Sequence, residues 1–365
     1  MFVIWFALPG CAAAGFGGDD GADDDGDDDG AVGDDCCVDG RGGDGDGPAP
    51  VDCTGDGAGA PRNGFPGDFP VLVDSGGSGA GMPIIGFGGD VTRGCAGNRA
   101  ALTHRPVVLL HGNGVSTLDD RFGMRHIADK LRAAGYTDAE LWAPSYLGQS
   151  ISTAELPTPY RNNIDDVRGF IEAVRTYLGV ERVDVVAHSL GCGMVNGYLR
   201  GLGRDGAFHA EDERFPAIGT VVCLGGAMYG TGDGALYEPE FSSSGAFVAA
   251  SLQWAGVEDA TPYGASSTAQ MMVPATGTLP GGRPYARVTS ADDGTRRIYY
   301  VGIWANQDIV DSGNPNTGGL QGADLVAGFE LPSTLPGVLT PQLARHGHLV
   351  HAQVVFDAFA PYLDR

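Results

Sequence analysis

Ser189 stands in the string Ala187-His188-Ser189-Leu190-Gly191, directly after the apolar run Val183-Asp-Val-Val186 and ahead of a Gly-rich helical segment. Small residues flanking a serine at a strand-to-helix corner let the chain bend sharply and hold the serine exposed at the apex. The N-terminus of the following helix favours negative charge developing nearby. Serine is a poor nucleophile until a base removes its proton, and that base must be oriented by an acid. The acid is expected where a later apolar strand ends. The run Ile298–Trp304 leads into Asp308, with Asp311 as second choice. The base is expected near the carboxyl end, where His346, His348 and His351 crowd together. His346, followed by Leu349 and Val350, best fits the entry to a last helix. His348 is its rival, and His351 falls at that helix's start. Backbone N–H groups of Leu190 and of Asn113, in the loop His111-Gly-Asn-Gly114, are expected to hold an oxyanion. The chemistry is acyl transfer through an acyl-enzyme, with no metal and no cofactor. His111 reads as a brace for its loop, and His188 as a structural residue pointing away from the corner. His104, His126 and His209 are surface or core residues.

The elements that must position these groups alternate between short apolar runs and helical periods. Arg105–Leu110, Ala139–Ala143, Val183–Ala187, Ile218–Leu224 and Arg297–Trp304 read as buried strands. Helical spacing runs over 121–134, with Ile127, Leu131 and Ala134 on one side. A longer helix, capped by Asn162 or Asn163, carries Ile164, Val167, Ile171, Val174 and Leu178 to Gly179. A third follows the serine from about Cys192 to Leu199, and Val354–Leu363 closes the chain. Continuous apolar strands in β-α-β order predict an α/β class fold, a mostly parallel sheet covered by helices on both faces. Residues 226–296, rich in Gly, Ser, Pro and Tyr, show no period. A structureless stretch of that length in a compact domain is usually functional. It reads as a lid or cap whose Phe241, Phe247, Trp254 and Tyr263 suit an apolar substrate, or as a surface excursion whose apolar residues pack on one another.

Composition divides the 365 residues unevenly. From Asp19 to Asp56 there are fifteen Asp and one Arg, which is −14 of the formal net charge of −24. A chain so poor in apolar side chains cannot offset its ordering entropy, so 12–62 reads as a disordered acidic linker and 63–365 as the catalytic domain. Asp25, Asp27, Asp29 and Gly30 fit half of an EF-hand loop, but its twelfth position is Cys36, so no calcium site is expected. The acidic balance excludes nucleic acid and anionic lipid as partners. Residues 1–11 are an apolar run ending Leu-Pro-Gly-Cys11, which resembles the lipobox of a bacterial lipoprotein, with a lipid anchor at Cys11. An exported chain permits disulfides among Cys36, Cys37, Cys53 and Cys95, whereas Cys192 and Cys223 lie in regular apolar segments and read as buried thiols.

The strings HGNG, AGYTDAELWAPSYL, VDVVAHSLG, CLGGA and QDIV together resemble the class 2 lipases. They also resemble the secreted poly(3-hydroxybutyrate) depolymerases that carry an A-H-S-x-G elbow. The resemblance spans about residues 85–365, from Gly86-Phe-Gly-Gly89 onward. It implies an α/β-hydrolase fold with a triad of Ser189, Asp308 and a histidine of the 346–351 cluster, acting on esters of apolar acyl groups or on polyesters. Two other readings compete: an acyltransferase of the same fold, and a non-catalytic surface lipoprotein that binds through the cap.

Overall fold

The computed structural model describes residues 53, 59–70, 85–112, 115–145, 160–202, 208–226, 298–308 and 323–365. The segments 1–11 and 227–296, Asn113 and Asp311 lie outside these residues.

The order of elements is β1 (Gly86–Gly88), α1 (Cys95–Ala100), β2 (Val107–Leu110), α2 (Arg125–Ala133), β3 (Leu141–Pro144), α3 (Tyr160–Leu178), β4 (Val183–His188), α4 (Leu190–Leu199), the pair β5 (Arg200–Leu202) and β6 (Phe208–Glu213), β7 (Ile218–Leu224), β8 (Tyr299–Ala305), β9 (Leu325–Phe329), α5 (Pro341–His351) and α6 (Gln353–Phe359). Seven strands form one sheet in the order β1-β3-β2-β4-β7-β8-β9. Every neighbouring pair is parallel except β1 with β3. Parallel strands need crossovers and bury both faces, which is why their sequences are apolar throughout and not alternating. Within β2, Val108 and Leu110 face one layer with α3 and α4, while Val107 and Leu109 face the other with α2, α5 and α6. This is the mostly parallel α/β-hydrolase arrangement expected of the sequence.

All five expected strands form; β2, β3 and β8 start two residues later than expected, while β4 and β7 start at Val183 and Ile218 as expected. Four strands, and the short helix α1, had no legible signal. β1 contributes two glycines in three residues, β9 is a half-exposed edge strand, and the β5–β6 pair is a separate two-stranded sheet. Among helices, α3 begins at Tyr160, ahead of the expected Asn cap. The carboxyl end departs further. The base candidates were expected in the approach to one last helix, but they lie inside a helix of their own, α5. Thr340 caps it, its hydroxyl accepting from the Leu343 amide at 3.3 Å, and Pro341 takes the first turn, where a missing N–H costs nothing. Helix α6 then ends at Phe359, where Pro361 turns the chain into a short 3-10 segment.

Phe65 and Phe69, just past the expected linker boundary, are fully buried against Trp142 and Phe170, with ring centroids 4.8–6.3 Å apart. Cys53 is disulfide-bonded to Cys95, and Cys192 and Cys223 are buried thiols, as their settings predicted. At the starting end of β4, buried Asp184 pairs with Arg105 at 2.9 Å and accepts the Asp364 amide at 2.7 Å. That end of the strand is thereby pinned, opposite the serine. Among the described residues, no helix is long and apolar enough to cross a membrane.

Candidate active site

The strands β2, β4, β7 and β8 end together. Ala187 registers with Leu110 on one side and Cys223 on the other, and Leu224 registers with Ile303. Ligands of open parallel sheets bind where carboxyl ends of strands converge. Ser189, the first residue past β4, has φ +54°, a left-handed conformation unfavourable for a residue with a side chain. Its amide donates to the Leu224 carbonyl at 2.9 Å, which locks the corner to β7. The bend also demands close packing behind it. A Cβ on Gly191 would lie 2.7 Å from the carbonyl oxygens of both Leu110 and His111, so only glycine lets α4 approach the sheet there. In front, the α-carbon of Gly112 is so near that a Cβ on it would lie 2.9 Å from Ser189 Cβ. Leu190 opens α4, so its amide belongs to the first turn, which has no intrahelical acceptor. Asn113, the other expected oxyanion donor, lies outside the described residues.

Beyond β8, Gln307 turns the chain with φ +61°, and Asp308 follows, 1% exposed. His346 Nδ1 lies 3.2 Å from Asp308 Oδ2. An ionised carboxylate only accepts, so Nδ1 carries the proton and Nε2 keeps its lone pair. The ring of His346 rests on Gly225, where an added Cβ would stand 2.9 Å from its Cε1 and Nδ1. Gly225 follows Leu224, the residue bonded to the serine amide. Thus the Ser189 corner and the His346–Asp308 pair, from three separate elements, both meet Leu224–Gly225 at the carboxyl end of β7.

The neighbouring histidines are engaged elsewhere. His348 Nε2 donates to the Thr334 carbonyl and His351 Nε2 to the Arg121 carbonyl, each at 2.8 Å. His111 Nδ1 donates to the Gly112 carbonyl at 2.8 Å, consistent with a loop brace. His188 differs from expectation. It does not merely point away from the corner but packs against His346, with ring centroids 4.4 Å apart and Nε2 donating to the His346 carbonyl at 3.1 Å. Alternation explains this: His188 shares the sheet face of Val186, which is the α5 side.

Burial pushes the His111 imidazole down to about 4, partly opposed by its bond to Gly112 and by the Asp119 charge. Burial, with His346 adding to it, also holds His188 well below the ordinary histidine range. Both stay neutral in the fold at pH values where the unfolded chain protonates them, so unfolding takes up protons and stability is lost as pH is lowered. From about pH 7.5 to about pH 5, His111 alone should remove about 2 kcal/mol. Urea denaturation of wild type and His111→Gln across this range checks it. The drop should be shallower in the variant, and equal slopes would exclude His111 as its source.

Residues 104–235 match the family model for lipase (class 2). No curated protein matches the chain. Among solved structures, lipase B of Aspergillus fumigatus is similar at 14% identity and TM-score 0.26, over 36% of this chain and 27% of that one. Lipase BlEst2 of Bacillus licheniformis, in its mature form, is similar at 13% identity and TM-score 0.38, over 72% of this chain and 93% of that one. A carboxylesterase structure from the ammonia-oxidizing thaumarchaeon Nitrososphaera gargenis is similar at 12% identity and TM-score 0.35, over 71% and 90%. The class 2 lipase match over the chain's central third thus falls on the serine corner and the strand ends that converge on it, and that third is lipase-like within the α/β-hydrolase arrangement.

Proposed function

We propose that Ser189, His346 and Asp308 form the catalytic triad of an exported enzyme that cleaves carboxylic esters of apolar acyl groups. The observation that carries this reading is the buried His346–Asp308 pair, 3.2 Å apart, packed on the residue that follows the serine's own hydrogen-bond partner. With its Nδ1 proton held by Asp308, His346 presents a basic Nε2 toward the corner. It takes the Ser189 proton as the hydroxyl oxygen attacks the ester carbonyl. The oxyanion is held by the amides of Leu190 and Asn113, and the leaving alcohol departs with the proton from His346. Water, deprotonated by the same imidazole, then hydrolyses the acyl-enzyme and frees Ser189. The Nε2 bonds of His348 and His351 to backbone carbonyls favour His346 over both as base. A Cys53–Cys95 disulfide supports an exported setting. The apolar run before Cys11 supports a lipid anchor there.

A fluorophosphonate probe tests the nucleophile. Folded protein should be labelled stoichiometrically at Ser189, with Ser189→Ala unlabelled. Wild-type protein that hydrolyses esters while labelling elsewhere would overturn the assignment. Turnover of p-nitrophenyl esters, tributyrin and amorphous polyhydroxybutyrate then separates the lipase and depolymerase forms of the reading.

A further inference from the structure

His188 takes no part in the proton transfers proposed above, yet it packs directly on the base. It is 1% exposed, and its Nε2 donates to the main-chain carbonyl of His346 at 3.1 Å. That carbonyl lies inside α5, where the amide four residues onward is its ordinary partner. A carbonyl oxygen has two lone pairs, so the helix is satisfied without His188, and the added bond serves something else. It joins the strand that carries the nucleophile to the helix that carries the base, at the base residue itself. From Ser189 to His346 this path runs through one peptide bond and one side chain. We infer that His188 is a positioning residue: its bond to the His346 carbonyl, with its ring packed against the imidazole at a tilt of 38°, sets the reach between Ser189 and the base. The inference rests on the triad reading.

Packing alone makes the opposite forecast. Burying an imidazole in an apolar layer is unfavourable, and its Nδ1 finds no partner among the described residues. Burial keeps the ring neutral, so no charge pairing offsets that cost. If His188 only filled space, a phenyl ring would fill it as well or better. If it positions the base, stability and turnover move apart.

The experiment compares His188→Phe, His188→Gln and His188→Asn for kcat and KM on a soluble p-nitrophenyl ester, for the rate of fluorophosphonate labelling, and for Tm. His188→Phe should keep or raise Tm and lower kcat by about 10- to 100-fold, with KM within about twofold, because misplacement of reacting groups by a fraction of an ångström is felt in the chemical step. The glutamine amide nitrogen reaches the place of the imidazole Nε2, so His188→Gln should recover to within about fivefold of wild type. The shorter asparagine does not reach, and His188→Asn should stay as slow as the phenylalanine variant. Equal rates in the glutamine and asparagine variants, or near-wild-type kcat in His188→Phe, would overturn the inference. If the phenylalanine variant does not fold, the two amides decide alone. If none of the three folds, His188 serves the fold and the inference fails. Wild-type protein unlabelled at Ser189 sinks the triad itself. Normal labelling with indifferent His188 variants sinks only the positioning role.

Discussion

His346→Ala should lower kcat against a soluble p-nitrophenyl ester by about 10⁴- to 10⁶-fold, the loss typical of removing the base from a Ser-His-Asp unit. His348→Ala and His351→Ala should stay within about threefold, as substitutions outside the reacting constellation do. The contrast follows from where each ring spends its nitrogens. His346 is buried and gives Nδ1 to a carboxylate, which leaves a lone pair on Nε2. The other two give Nε2 to the carbonyls of Thr334 and Arg121, and neither bond involves a carboxylate. Losing them should show in stability. His351 ties α5 to the loop at Arg121, and its ring lies 3.8 Å from that of His126 on α2. Steady-state kinetics with matched thermal melts would separate the two effects. A His348→Ala variant as dead as His346→Ala, with Tm unchanged, would move the base two residues along.

Asp308→Asn should reduce kcat by about 10⁴-fold at neutral pH, about 5 kcal/mol of transition-state stabilisation. The change is nearly isosteric, so the loss comes from proton placement. A carboxylate at 3.2 Å compels His346 to keep its proton on Nδ1. A carboxamide can donate to Nδ1 instead, which transfers the imidazole proton to Nε2 and leaves no lone pair for the serine. Fluorophosphonate labelling should slow in step with turnover, since both need a deprotonated Ser189, while far-UV circular dichroism stays unchanged. A loss below about tenfold would mean that the acid lies elsewhere, and Asp311 would then be the residue to change.

Much of this architecture could be read from residue order. The continuous apolar runs of β2, β4, β7 and β8 announced buried parallel strands, because a strand covered on both faces has no polar side to show. The small residues around Ser189 announced a sharp corner, and the left-handed φ at the serine with the closely packed Gly191 are its physical content. Local sequence did less well where neighbours in space decide. β1 has no signal because two of its three residues are glycine, and only the edge offered by β3 makes it a strand. The carboxyl end seemed to hold one helix, but the Thr340–Pro341 start creates another, and the base candidates fall inside it.

Sequence alone therefore determined that this protein would place a serine at a strand-to-helix corner of an α/β sheet, with an aspartate after a later strand and clustered histidines near the carboxyl end. Those features are local: spacing, small residues and runs of apolar side chains within a few positions of one another. Which of three histidines meets Asp308, and that His188 lies under the chosen one, only the tertiary structure decided. Residues two positions apart on a helix point about 200° away from each other, so a carboxylate brought by β8 can meet one of His346 and His348 but not both.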